Sequence, residues 1–160
     1  MNGHEPIVKT LHWRDEAATQ AFAAALAAQP AVRDAYIELH GDLGAGKTTL
    51  VRHLLRSLGV QGRIKSPTYA VVEPYGLPGL AIWHFDFYRL ADPREWEEAG
   101  FRELFTSPGL KLAEWPEKAA GVLPAADLVV RLAVQTDDSR DVSLVAQTAV
   151  GRALLQGLPA

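Results

Sequence analysis

The stretch of sequence most informative about the fold is Gly41-Asp42-Leu43-Gly44-Ala45-Gly46-Lys47-Thr48. This stretch satisfies the pattern G-x-x-x-x-G-K-[S/T] at every fixed position. Its glycines let successive backbone N–H groups curl around an anion, because no Cβ stands in the way. Lys47 adds a positive charge for the same anion, and the hydroxyl of Thr48 is placed to ligate Mg²⁺. The stretch therefore predicts a phosphate-binding loop, or P-loop.

The segments on either side of this loop agree with that interpretation. Ala35–His40 has the composition of a short buried strand. Thr48–Leu58 carries leucine and valine at helical spacing, and Gly59 follows as a helix stop. The loop would then join a strand to a helix whose positive N-terminus points at the phosphates. The alternative is a glycine-rich turn that matches by chance, which for a chain of this length happens on the order of once in a hundred.

The rest of the chain alternates strands with helices and closes on a hairpin. We expect further strands over Ile7–Trp13, Tyr69–Tyr75, Leu80–Phe87, Leu110–Trp115, Asp127–Gln135 and Asp141–Gln147. A helix over Glu16–Gln29 would be capped by Asp15, and Asp92-Pro93-Arg94-Glu95 carries the start signals of another. This order predicts an α/β protein of the P-loop NTPase fold. Its sheet would be mostly parallel with antiparallel additions and a C-terminal hairpin, flanked by helices, and residues 1–160 would form a single domain.

Composition narrows the possible functions. The 160 residues include 16 basic and 19 acidic side chains, a net charge of -3. Such a chain lacks the positive field of a stand-alone nucleic-acid binder, so any RNA would be reached through a partner. The absence of cysteine excludes disulfides, thiolate metal sites and a cysteine nucleophile. No signal peptide is visible and no apolar run approaches the roughly 20 residues that span a bilayer, so we expect a cytoplasmic protein without a membrane partner.

A P-loop also needs a second carboxylate near the Mg²⁺ ion and a group that positions the attacking water. Asp86 and Glu114 are candidates, because each ends a predicted strand and ligands bind at the carboxyl ends of strands in open α/β sheets. On the residues alone, an exposed acid at a strand terminus is slightly favoured for either residue. The segment Ser66-Pro67-Thr68-Tyr69 is consistent with a plain turn or with a loop that senses the γ-phosphate. His84 alternates with apolar neighbours and is expected to be a hydrogen-bonded structural histidine.

Four segments together resemble the TsaE (YjeE) family. They are Gly41–Thr49, Ser66–Tyr69, His84–Leu90 and Glu114–Glu117, in the order and spacing of that family. The resemblance runs from about Asp15 to the closing hairpin. It implies a bacterial ATPase that acts in biosynthesis of threonylcarbamoyladenosine (t6A), the modified base next to the tRNA anticodon. TsaD and TsaB would be its protein partners, and tRNA would be met only through their complex.

The same resemblance implies cofactors and residue roles. ATP or ADP and Mg²⁺ would be bound, with Thr48, Glu114 and Asp86 near the metal ion and Lys47, Glu114 and Asp86 as catalytic groups. The start of the first helix would lie by the adenine. The nucleotide-binding set would be Gly41, Asp42, Leu43, Gly44, Ala45, Gly46, Lys47, Thr48, Thr49, Glu16, Thr19, Ser66, Thr68 and Trp115.

Three functions remain open on the sequence. The first is the ATPase of a tRNA-modification complex, and the absence of an Asn-Lys-x-Asp guanine motif favours ATP over GTP. The second is a small-molecule kinase, which needs an arginine-bearing lid; Arg94 and Arg102 lie in a suitable region, but no lid pattern is evident. The third is a nucleotide-gated binding module, in which ATP occupancy sets an interface and hydrolysis is incidental.

Overall fold

The computed structural model describes residues 6–64, 67, 71–92, 94–95 and 100–158. In these residues seven strands form one sheet in the order β1-β7-β6-β2-β5-β4-β3. The strands are β1 (Ile7–Trp13), β2 (Tyr36–His40), β3 (Val72–Leu77), β4 (Leu80–Asp86), β5 (Leu110–Glu114), β6 (Leu128–Val134) and β7 (Arg140–Ala146). None of the helices described has the length and apolar character that crossing a bilayer would require.

The sheet has a parallel centre and antiparallel edges. Strands β6, β2, β5 and β4 are neighbours and run parallel. The β6–β7 hairpin, the β1–β7 pair and the β3–β4 pair are antiparallel. The predicted α/β fold, with a parallel sheet, antiparallel additions and a closing hairpin, is confirmed. Because β2, β5 and β4 are parallel, their carboxyl ends meet at one edge of the sheet.

Helices and short 3-10 segments connect these strands. The α-helices of the described residues are α1 (Glu16–Ala27), α2 (Lys47–Leu58) and α3 (Ala149–Gln156), and the 3-10 segments are Pro30–Asp34, Phe101–Thr106 and Pro116–Ala119. Asp15 caps α1 as predicted, since its side chain accepts the N–H of Ala18 at 3.1 Å. Gly59, with φ of 110°, ends α2 as predicted. Helix α3 was not predicted.

Alternation along the strands divides the core between the two faces of the sheet. Leu112 and Ile82 lie in the cluster that packs beneath α1 and α2, whereas Ala113 and Phe85 belong to the cluster on the opposite face. Successive side chains of a strand point to opposite faces. Glu114, two positions after Leu112, and Asp86, four positions after Ile82, therefore lie on the side where α2 begins.

Most predicted elements agree with those observed to within one residue at each end, and two differ by more. The first helix ends at Ala27 rather than at Gln29, because Gln29 is already extended ahead of Pro30. Strand β3 covers Val72–Leu77 and so runs into the predicted turn, whereas residues 69 and 70 of the predicted strand lie outside the described chain. The helix start after Asp92 has its expected capping, in which Asp92 accepts the N–H of Arg94 at 2.9 Å, and residues 96–99 lie outside the described chain.

Candidate nucleotide-binding site

The predicted phosphate loop joins β2 to α2. Its three glycines all have left-handed backbone, with φ of 150° at Gly41, 83° at Gly44 and 107° at Gly46. At Gly41 an added Cβ would also lie 2.7 Å from the carbonyl oxygen of Leu132 on β6. Any other residue there would clash with β6, so this glycine lets the loop turn close against the sheet.

Lys47 is the first residue of α2 and is buried. Its Nζ donates a hydrogen bond of 2.6 Å to the carbonyl oxygen of Gly41 and stands 3.5 Å from the ring centroid of Trp115. Burial lowers the pKa of Lys47, and the nearby carboxylate of Glu114 acts in the opposite direction. The lysine is thus held between the backbone of the loop and the ring of Trp115.

Glu114 links the loop to the sheet. The hydroxyl of Thr48 lies 3.1 and 3.2 Å from the two carboxylate oxygens of Glu114. Nε2 of His84 lies 2.6 Å from one of those oxygens, and both side chains are almost completely buried. Glu114 is therefore no exposed acid at a strand end, since it is fixed between α2 and β4.

His84 is a hydrogen-bonded histidine as predicted, but its partner was not foreseen. An ionised Glu114 accepts hydrogen bonds only, so Nε2 of His84 must carry the proton and donate it. Its Nδ1 is buried and has no hydrogen-bond partner among the described residues.

Asp86 is the register partner of Glu114 across β4 and β5. Its carboxylate accepts the N–H of Tyr88 at 3.0 Å. Burial raises the pKa of Asp86, the Tyr88 hydrogen bond opposes that rise, and the charge of Glu114 adds to it. The two acidic candidates are thus brought together at the carboxyl ends of adjacent strands.

The donor set fits Mg²⁺ bound together with a nucleotide. Thr48, Glu114 and Asp86 supply one hydroxyl and two carboxylates, all of which line one cavity of about 640 Å³. No group of three or more histidine, aspartate and glutamate side chains in the described residues is arranged to hold a metal ion by itself. Mg²⁺ commonly takes one or two carboxylates and completes its shell with water and substrate phosphates.

Other predicted site residues lie in two adjoining cavities. The larger is lined by Leu43, Gly44 and Gly46–Thr49 of the loop and by Trp115, whose backbone is left-handed with φ of 56°. A neighbouring cavity of about 310 Å³ contains Glu16 and Thr19 at the start of α1. Their predicted place by the adenine stays a prediction, as do Ser66 and Thr68, which lie outside the described residues.

Asp42 and Leu43 form the outer part of the loop. The carbonyl of Asp42 accepts the N–H of Ala45 at 3.0 Å, which closes a turn. The Leu43 side chain is 74 % exposed beside the larger cavity.

Arg140 belongs to the site and was missed. It is the first residue of β7, and its Nε donates to the carbonyl oxygen of Ala45 in the loop at 2.9 Å. It lines both cavities. A lone arginine at a hairpin carries no motif, so only the sheet order brings it to the loop.

The loop is rich in glycine, joins a parallel strand to a helix and ends in a lysine and a threonine. The threonine is hydrogen-bonded to a carboxylate at the end of a neighbouring strand. These features define the P-loop NTPase fold. A family model described as Threonylcarbamoyl adenosine biosynthesis protein TsaE matches residues 13–142. This chain belongs to the TsaE family.

Individual relatives agree with that assignment. The tRNA threonylcarbamoyladenosine biosynthesis protein TsaE of Haemophilus influenzae is 50% identical over 119 residues, which cover 74% of this chain and 75% of the relative. The protein of the same name from Bacillus subtilis is 35% identical and covers 90% of this chain and 89% of its own length. A crystal structure of Bacillus subtilis YdiB superposes with a TM-score of 0.80 at 27% identity, covering 96% of this chain and 95% of that one.

Proposed function

We propose that this protein binds and hydrolyses ATP as a component of the t6A modification machinery, acting with TsaD and TsaB. The contact between Thr48 and Glu114 carries the proposal, because it places a buried carboxylate beside the residue that follows the loop lysine. The names of the relatives, which refer to t6A biosynthesis, support the pathway. tRNA would be met through the complex, in the cytoplasm.

The chain's own residues would stabilise charge and orient water. The loop amides and Lys47 would bind the β- and γ-phosphates. Glu114, fixed by Thr48 and His84, would accept a hydrogen bond from the attacking water. A Mg²⁺ ion near Thr48, Glu114 and Asp86 would neutralise charge that develops on the phosphate oxygens.

The deciding experiment measures Mg²⁺-dependent phosphate release from ATP by the purified chain. It is run alone and then with reconstituted TsaD, TsaB and tRNA, with the Lys47→Ala variant as the control. Slow release that rises with the partners and disappears in the variant is expected. Equal release by Lys47→Ala would place hydrolysis at another site, and no rise with the partners would reject the proposed coupling.

A nucleotide-gated binding module is the second candidate. It is favoured by the apolar rim of the cavity, where the side chains of Leu43 and Tyr88 are both exposed. Such a module would bind ATP tightly and assemble with its partners without turnover, so the same assay separates the two functions. A small-molecule kinase would instead release phosphorylated metabolite rather than phosphate. Arg94, one of its candidate lid arginines, pairs with Asp92 at 2.9 Å.

A further inference from the structure

The contact of Arg140 with the phosphate loop joins parts of the chain that are 95 positions apart. Its Nε donates to the carbonyl oxygen of Ala45, and Ala45 is 1% exposed. A buried backbone carbonyl needs a donor, and the guanidinium of Arg140 supplies it. The hairpin of β6 and β7 thereby holds one peptide group of the loop.

That peptide group also carries the N–H of Gly46. No peptide bond is cis in the described residues, so the bond between Ala45 and Gly46 is trans. In a trans peptide the carbonyl and the following N–H point in opposite directions. Because the carbonyl of Ala45 faces Arg140, the N–H of Gly46 faces away from that contact, and Gly46 lines both cavities of the site.

The guanidinium is itself fixed by the turn of the hairpin. Its Nη1 donates to the carbonyl oxygen of Asp138 and lies 3.3 Å from the carboxylate of the same residue. Asp138 is one of two non-glycine residues with left-handed backbone in the described chain, with φ of 70°. Arg140 is thus tied at Nη1 to the turn and at Nε to the loop, and only 23% of its side chain is exposed.

We propose that Arg140 is a positioning residue for nucleotide binding: it holds the Ala45–Gly46 peptide so that the N–H of Gly46 donates to a phosphate oxygen. The inference rests on the proposed nucleotide site and adds to it a residue outside the loop motif. It assigns the β6–β7 hairpin a part in the phosphate site.

The test compares ADP binding by calorimetry in the full-length wild-type chain and in three variants. Arg140→Gln loses the fixed donor geometry, and Arg140→Lys keeps the charge on a flexible stem. Arg131→Gln is the matched control, because Arg131 lies exposed on the same hairpin and lines neither cavity of the site. Loss of one aligned hydrogen bond should weaken ADP binding by Arg140→Gln roughly tenfold, with Arg131→Gln unchanged.

A second measurement follows the Gly46 amide in the ¹H–¹⁵N NMR spectrum. In Arg140→Gln without nucleotide this resonance should move from its wild-type position, and its response to ADP should shrink. Weaker binding with an unmoved Gly46 amide would overturn the proposal, since the guanidinium would then contact phosphate directly. Unchanged affinity would overturn it as well.

Two further results are informative. If Arg140→Gln does not fold, Arg140→Lys is judged by the same two measurements, with the same outcomes deciding. If the wild-type chain binds no ADP, the proposed function fails, yet the Gly46 resonance of the nucleotide-free variants still tests the positioning role.

Discussion

Glu114 receives hydrogen bonds from side chains of two different elements, so substitutions of single residues can change either its charge or its orientation. Thr48 approaches it from α2 and His84 from β4. A buried carboxylate with two donors has one orientation, so its oxygens are aimed before any ligand arrives. The chemistry proposed for Glu114 depends on that charge and on that orientation, and the two can be removed separately.

The charge is removed in Glu114→Gln, which keeps the shape of the side chain. An amide neither accepts a proton nor polarises water as a carboxylate does, so ATP turnover should fall by about 10²- to 10⁴-fold. ADP affinity should change only a few-fold, because Lys47 and the loop amides are retained. Phosphate release and calorimetry make the comparison. Glu117→Gln, which alters the exposed glutamate nearby, serves as the control, and an equal loss there would deny Glu114 a special role.

The orientation is disturbed in His84→Leu. This change removes the 2.6 Å hydrogen bond and leaves a buried carboxylate short of one donor, a cost of about 1–3 kcal/mol in the free energy of unfolding. Turnover should also fall more than ADP affinity does.

His12→Leu is the matched control, because His12 meets Asp141 at 2.9 Å on the surface, where such pairs contribute about 0–1 kcal/mol. Denaturant unfolding and kinetics of both variants give the comparison. Equal destabilisation by the two changes would mean that the buried hydrogen bond of His84 contributes no more than the surface pair of His12.

Single residues of the site were predictable where a motif or a strand end marks them in the sequence itself. The loop motif places Lys47 and Thr48, and strand ends suggest Asp86 and Glu114, which the structure brings into register. The partner of His84 was not predictable, because it depends on which strands are neighbours. Arg140 had no local signal at all.

At the scale of elements, helices and strands were likewise predictable where their signal is local in the sequence. Helix α2 was predicted from its spacing and its terminal glycine, and the hairpin from two apolar runs around a polar turn. Helix α3 was missed because it is only 8 residues long and contains Gly151, which lowers helix propensity. Its packing against the sheet explains why that glycine is tolerated.

Gly151 gives a prediction about α3. Helix propensity alone would make Gly151→Ala stabilising by about 1 kcal/mol. An added Cβ would however lie 1.8 Å from the carbonyl oxygen of Asp127, a backbone atom. We expect a loss of about 1–3 kcal/mol or more in the free energy of unfolding.

Urea denaturation measures this loss, and Ala153→Gly on the exposed side of α3 is the companion. It should cost about 1 kcal/mol, as propensity dictates for a solvent-facing position. A stabilised Gly151→Ala would mean that α3 does not pack on the loop before β6 as described.

At the scale of the whole molecule, nucleotide binding should raise stability through linkage. A ligand present at about 100 times its dissociation constant adds about 2.7 kcal/mol, or roughly 5–10 °C in Tm for a chain of this size. Lys47→Ala should lose most of that rise with Mg²⁺ and ADP, whereas Lys118→Ala, at an exposed position, should keep it. Thermal melts with and without ADP provide the measurement. A full rise in Lys47→Ala would remove Lys47 from the site.

The sheet order also has a consequence for how the chain acquires its shape during synthesis. Ile7 pairs with Ala146, and β2, which leads into the loop, lies between β5 and β6. On the ribosome, β2 therefore has no neighbouring strand until residues beyond 110 have been made, and β1 has none until β7 has emerged. Pairings this distant along the chain close late and slowly. The ability to take up a nucleotide should accordingly arise only after the closing hairpin has emerged.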